Sequence, residues 1–422
     1  MNLKLHRGLA ATATFCLIAG LAACADSGED NQDTSDGKAA GTLVVANYQF
    51  LESGRGEALW NGLLQYESAN SDAKLEQSAS PYLQYVDKIN TELGAGAGPD
   101  VFVIQEAQFA TLAEAGLLAT LNSAVEGSDI TDLNSGLKID GNQLGVIWEQ
   151  VTYALIANKN VIEDAGITEM PTTVDELIAA ALQVQERTDA SGFAVRHLMS
   201  EFESWWMDYN VWPFGFDGAW SDGEELTIDS PENIAGLEAY KAVYDAGIMP
   251  LGDDASTYRT KFKENQLAFM IENNGATLSF TSGGAITGQD IESSPLPFEY
   301  PGQHQRIVLA VNANSDNKAL ALDFIKWFVS PEGQTAIRPG LGASTLATDV
   351  PLGADFEAAN PWAQTFLDAA ATSRSNLIPG FETETKPIMQ VIMQAVERSI
   401  TQGQDPAAAL AEAQEQAPAA VG

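Results

Sequence analysis

Cysteine is nearly missing from this chain. Its 422 residues hold two, Cys16 and Cys24, both near the start, so the long remainder has no thiol for a disulfide framework or a structural zinc site. Histidine is almost as scarce: past His6 there are only His197 and His304, far apart in sequence, and no metal or cofactor is expected. Positive charge is short too. Lys and Arg number 21 against 58 Asp and Glu, a formal net charge of −37, which makes nucleic acid and anionic membrane surfaces poor partners. No G-x-S-x-G elbow is present, which removes the common hydrolase arrangement. With so many acids, carboxylate pairs at glycosidase distances arise by chance and carry no weight alone. Gly94-Ala95-Gly96-Ala97-Gly98-Pro99 puts Pro at the third glycine position of a dinucleotide loop and sits between a helix and a strand, the reverse of that loop's context. It reads as a turn.

The first residues set location. Lys4 and Arg7 precede a small and apolar run from Gly8 to Gly20, closed by Leu21-Ala22-Ala23-Cys24. The run is too short for a membrane-spanning helix and reads as a secretory signal over residues 1–23. Small residues ending in Cys resemble the bacterial lipoprotein cleavage box, which implies lipid on Cys24 and an extracytoplasmic, membrane-anchored protein. Residues 24–41 are too polar to order themselves and read as a flexible tether.

Beyond the tether lie roughly four hundred residues, more than one core usually serves, so two domains are expected. At 45% hydrophobic residues, each can hold its own core. Thr42 to Ala46, Lys74 to Ser78 and Asp100 to Ile104 read as strands alternating with helices from Glu57 and ending at Gly94. Such alternation predicts a parallel sheet, with ligands beyond the carboxyl ends of the strands. Leu144 to Ile147 and Tyr153 to Ala157 read as two strands with Trp148 to Thr152 between them. Later helices are marked by caps at Thr173 with Glu176, Ser230-Pro231 and Asp405-Pro406.

The richest segment is aromatic. Trp205, Trp206, Tyr209, Trp212, Phe214, Phe216 and Trp220 fall close together, and the turn residues from Pro213 to Gly218 predict that several rings border a surface cleft. Flat rings with polar neighbours suit a ligand that has a C–H face and a rim of hydroxyls, such as a sugar.

At this point the chain resembles the extracellular solute-binding proteins of bacterial ABC importers, in their carbohydrate-binding, maltose-binding-like branch. The likeness rests on Gly98-Pro99-Asp100-Val101 after a helix, on Ala157-Asn158-Lys159 followed by Ala165-Gly166 and Pro171-Thr172-Thr173, and on Asp323-Phe324-Ile325-Lys326 with Ser330-Pro331-Glu332-Gly333-Gln334. It implies an α/β, two-lobe periplasmic-binding-protein-like fold with crossing hinge segments and a ligand cleft between the lobes. The expected lobes are 42–151 with 308–341, and 152–307 with 342–422. By position, the resemblance points to Tyr48, Gln49, Gln105, Glu106, Trp148, Glu149, Trp205, Trp206, Asn273, Asn274 and Arg306 as ligand contacts. It also implies a monomer that catalyses nothing, with a carbohydrate ligand and permease subunits as partners. The family often has a Trp where this chain has Asn273-Asn274-Gly275. A non-sugar polar solute, a secreted glycoside hydrolase and a surface adhesin remain as alternatives.

Overall fold

The computed structural model describes residues 40–52, 54–281 and 283–421. The leader, Cys24 and the tether up to residue 39 lie outside the described residues. Eleven strands occur in chain order: β1 (Gly41–Ala46), β2 (Ala73–Ser78), β3 (Val101–Gln105), β4 (Lys138–Ile139), β5 (Asn142–Gln143), β6 (Val146–Asn158), β7 (Ser191–Ala194), β8 (Leu267–Asn273), β9 (Ile291–Ser294), β10 (Gln303–Val311) and β11 (Arg374–Ser375). One path runs β2-β1-β3-β10-β6-β8-β7, with β9 on β6 and β11 on β10; β4 and β5 form a separate ladder. β1, β2 and β3 are parallel, as the alternation with helices predicts, while β10 runs antiparallel to both of its neighbours, β3 and β6.

β6 joins the two halves. Its thirteen residues are all buried. Ile147 and Trp148 belong to a first core with Leu43, Phe102, Leu309 and Phe328; Tyr153, Leu155 and Ala157 belong to a second with Trp212, Tyr240 and Phe269. Ala154 and Ile156, on the opposite face of the strand, enter a smaller third core with Tyr258 and Trp362. That division follows the two-residue period of a strand. The expected break at Trp148 to Thr152 does not exist, because its polar residues find partners within the structure. Gln150 exchanges backbone hydrogen bonds with Thr345 at 2.8 and 3.1 Å, which brings a third segment against the crossing. Leu346 and Ala347 lie in the first core, beyond residue 341.

Local chemistry explains several elements. Asp100 ties the first sheet together: Val44 N donates to its Oδ2 at 2.8 Å and Ser315 Oγ to its Oδ1 at 2.6 Å. Ahead of it, Gly96 and Gly98 have φ of 71° and 101°, conformations that favour glycine, so this glycine run is a helix-to-strand turn. Thr173 caps its helix by accepting from Glu176 N at 3.2 Å. The Glu176 carboxylate does not close a capping box on Thr173; it accepts from Thr172 N and Oγ1.

The aromatic segment differs most from expectation. Phe202–Tyr209 and Val211–Gly215 are helices, and Trp205, Tyr209, Trp212, Phe214 and Trp220 are buried in the second core. Only Phe216 of the stretch expected to border a cleft is half-buried. The rings stack on one another, Trp206 on Trp220 at 5.5 Å and Tyr209 edge-on to Tyr240 at 5.3 Å. Ring area buried this way stabilises a lobe that has no disulfide among its described residues. Among the described residues no helix is long and apolar enough to cross a membrane, and no group of three or more His, Cys, Asp and Glu is placed to hold a metal.

Candidate functional site

A cavity of about 470 Å³ opens between the halves. One wall is the face of the helix Tyr82–Gly94 that carries Tyr82, Val86 and Asn90, spaced four residues apart and therefore aligned. Gln105 and Gln108, at the end of β3 and the start of the helix Glu106–Glu114, complete that side, and Gln108 Nε2 donates to Asn90 Oδ1 at 2.9 Å. The second wall brings Glu203, Trp206 and Met207 from one helix turn, with Asn376, Lys386 and Met389 from the later chain. The cavity lies beyond the carboxyl end of β3, where an open parallel sheet leaves room for a ligand.

The walls mix an apolar floor with polar groups. Trp206 donates its Nε1 hydrogen to the Asn376 carbonyl at 3.3 Å, which fixes the ring against the wall. The Asn376 side-chain oxygen is buried without a partner, an arrangement that costs free energy unless a donor arrives. Tyr82 keeps its proton strongly: burial, and then the Glu203 carboxylate, push its pKa up. Its hydroxyl stays neutral and able to donate. These groups suit a polyhydroxylated or amide-bearing ligand, with rings for packing and amides for orientation.

Of the eleven residues expected at the site, Gln105 and Trp206 line this cavity. The others sit elsewhere in this conformation. Tyr48 packs edge-on to Tyr82 at 5.0 Å, behind the wall. Gln49, Trp148 and Glu149 form a buried network at the crossing: Trp148 Nε1 donates to Gln49 Oε1 at 2.7 Å, Gln49 Nε2 donates to Glu149, and the Trp148 ring stacks on Phe328 at 5.5 Å. Arg55 Nη2 reaches Glu149 Oε1 at 2.6 Å and Ser344 Oγ donates to its Oε2 at 2.9 Å. Burial works against the Arg55 charge, but Glu149 and Glu52 more than offset it and hold its pKa above the ordinary value. Asn274 accepts from Thr152 N at 2.8 Å and donates to Ser344 at 3.2 Å, while Asn273 caps the helix Asn274–Phe280.

Glu106 and Arg306 pair with each other at 2.6 Å, and Ser375 donates to the other Glu106 oxygen at 3.0 Å. Trp205 is fully buried, its Nε1 donating to Tyr240 Oη at 3.0 Å. Sequence reasoning missed Tyr82, Asn90, Glu203, Asn376 and Lys386. A signal existed for the first two: Tyr85, Ile89 and Leu93 form the core stripe of their helix, and Tyr82, Val86 and Asn90 make a second aligned row that the core does not need. A further cavity of about 360 Å³, bordered by Tyr153, Phe298, Gln303 and Asp368, takes residues of the second half alone.

With this geometry in place, comparison decides the family. A model of bacterial extracellular solute-binding proteins matches residues 64–364. The chain belongs to that family. It is 27% identical over 383 residues to the diacetylchitobiose binding protein DasA of Streptomyces coelicolor, spanning 85% of this chain and 87% of that protein. It is 23% identical over 301 residues to the maltotriose-binding protein of Pyrococcus abyssi, spanning 68% of this chain and 62% of that one. In structure it is similar to the GacH receptor of Streptomyces glaucescens, with a TM-score of 0.79 and 20% identity over 90% of this chain and 98% of that one. It is also similar to maltose-bound MalE3 of T. maritima, with a TM-score of 0.76 and 19% identity over 89% and 99%. The fold of this solute-binding protein is thus the two-lobe α/β fold, with the cavity in the cleft between lobes.

Proposed function

We propose that this protein captures a carbohydrate outside the cytoplasm and hands it to the permease of an ABC importer, without making or breaking a bond. The supporting observation is the interlobe cavity, with Trp206 and Tyr82 on facing walls and Asn376, whose buried side-chain oxygen has no partner, beside Trp206, in a chain similar over most of its length to a diacetylchitobiose binding protein. A ligand that touches both walls binds the closed form better than an open one, so it shifts the population toward closure. The permease then reads the closed shape. The lobes are taken as 42–151 with 308–341, and 152–307 with 342–422, with Leu346 and Ala347 packing back into the first core, and the protein acts as a monomer. Leu21-Ala22-Ala23-Cys24 supports a lipid anchor at Cys24 that keeps the protein at the cell membrane.

The test is thermal unfolding against mono- and oligosaccharides, with amino acids and polyamines as controls. A ligand at about a hundred times its dissociation constant adds roughly 2.7 kcal/mol. A shift with one saccharide class is the expected result. A shift with a control solute and with no saccharide overturns the carbohydrate assignment.

A further inference from the structure

We infer that the cleft rejects anionic ligands and that the Glu203–Lys386 pair sets this selection, so that the ligand is a neutral or amino-bearing saccharide. This rests on the cleft being the solute site. The charges on its walls are three carboxylates, Asp87, Glu203 and Glu382, and one cation, Lys386. That cation is engaged: Lys386 Nζ lies 2.5 Å from Glu203 Oε1. Among the described residues no arginine or histidine lines the cavity. The nearby guanidinium of Arg306, behind Gln105, is held by Glu106 and Gln150. Of the helices that start at the cavity, Glu106–Glu114 and Phe202–Tyr209 carry a carboxylate in their first turn and Thr385–Gln402 has Glu384 at its N-cap, which answers their positive ends; Tyr82–Gly94 alone has none.

An anion in this cleft would therefore lose water without meeting a free cation, and would face two carboxylates of its own sign, Asp87 and Glu382, that form no ion pair among the described residues. The formal charge of −37 over the whole chain acts in the same direction. Neutral ligands find neutral donors and acceptors instead: the Tyr82 hydroxyl and the Gln105 amide, which hydrogen-bond to each other here, and on the facing wall Asn376, whose buried side-chain oxygen has no partner. An ammonium group has one further option. It can take the place of Lys386 at Glu203, whose side chain is 32% exposed while that of Lys386 is 67% exposed and free to swing away.

The experiment is calorimetric titration of the full chain with three disaccharides: a neutral N-acetylated one, its de-N-acetylated diamine and a uronic-acid disaccharide. It is run at about pH 6, below the usual range of a free amine, so that the diamine is charged. The uronic-acid ligand is expected to bind at least about tenfold more weakly than the neutral one, the order expected for one unfavourable charge contact in a partly screened site. Lys386→Ala is expected to raise the ratio of diamine to neutral affinity, and Glu203→Gln to lower it. Equal affinity for uronic-acid and neutral ligands, or a ratio unmoved by both substitutions, overturns the inference. If no saccharide of any charge binds to the folded protein, the carbohydrate reading fails. The charge claim is then decided by the control solutes: binding of a dicarboxylate overturns it, and binding of a polyamine or polyol supports it.

Discussion

The crossing and the cleft hold the same kinds of side chain, yet they use them in opposite ways. At the crossing, Glu149 accepts hydrogen bonds from Gln49, Arg55 and Ser344, and Asn274 bridges Thr152 and Ser344. These carboxylate, amide and hydroxyl groups are all matched inside the protein; Arg55 Nε alone makes no hydrogen bond and lies 3.2 Å from the Glu52 carboxylate. In the cleft, the Asn376 oxygen is unmatched and Glu203 meets only an exposed lysine. Polar residues on the strand β6 are bonded across the crossing, whereas Asn376, in the bend after β11, keeps an unmatched oxygen beside the cavity. Trp205 and Trp206, both buried in the second core, differ within one helix turn: the first bonds to Tyr240, while the second also borders the cavity.

The contrast is sharpened by substitutions on each side. The largest effect is expected from Trp205→Ala, which removes a fully buried ring and strands the Tyr240 region. A loss of about 3 to 5 kcal/mol in denaturant unfolding is expected for it. Glu149→Ala leaves Arg55 buried beside Glu52 alone and is expected to cost about 3 kcal/mol or more, the order seen when one partner of a buried pair is removed. A change near zero there would mean that the crossing network contributes nothing to the fold.

His304 gives a pH signature on β10. Burial, and then the Arg306 charge, lower its pKa from 6.5 to about 3, while Nδ1 lies 3.1 Å from the Ser373 carbonyl. The unfolded chain therefore takes up this proton first as pH falls. Stability from this group is full above about pH 6.5 and is lost progressively toward about pH 3, by at most about 1.4 kcal/mol per pH unit. His304→Gln is expected to remove that part of the slope, read as the difference between the two proteins' stability curves. The smallest effect is expected at the cleft: Glu203→Gln breaks a solvent-screened pair and should change stability by less than about 1 kcal/mol.

The sequence made the scaffold more legible than the site. Strand and helix order from Thr42 to Ile104 followed from local periodicity, and the caps at Ser230 and Asp405 accept their expected backbone hydrogens, from Asn233 and Ala408. These are short-range properties. Trp148 to Thr152 was read as a break because a strand with buried Glu and Gln looks wrong until Arg55 and Ser344, far off in sequence, arrive to satisfy them. The aromatic stretch misled for a related reason. Turn residues such as Pro213 and Gly218 marked surface, but Gly218 lies so close to Asn233 and the Pro213 carbonyl that a Cβ would meet them at 2.3 and 2.8 Å, so the segment is packed inward. The cleft wall from Tyr82 to Asn90 depends on which helix faces the opposite lobe, and periodicity alone does not name a partner.

The central claim is that the solute sits against the cleft wall while the crossing only sets its geometry. Calorimetric titration of the best saccharide from the melting panel into Trp206→Ala tests it most directly, with far-ultraviolet circular dichroism to confirm the fold. Loss of an aromatic platform is expected to weaken binding by about five- to twelvefold, using roughly 1 to 1.5 kcal/mol for one ring contact. Unchanged affinity in a folded Trp206→Ala protein would contradict the account and move the solute away from this wall.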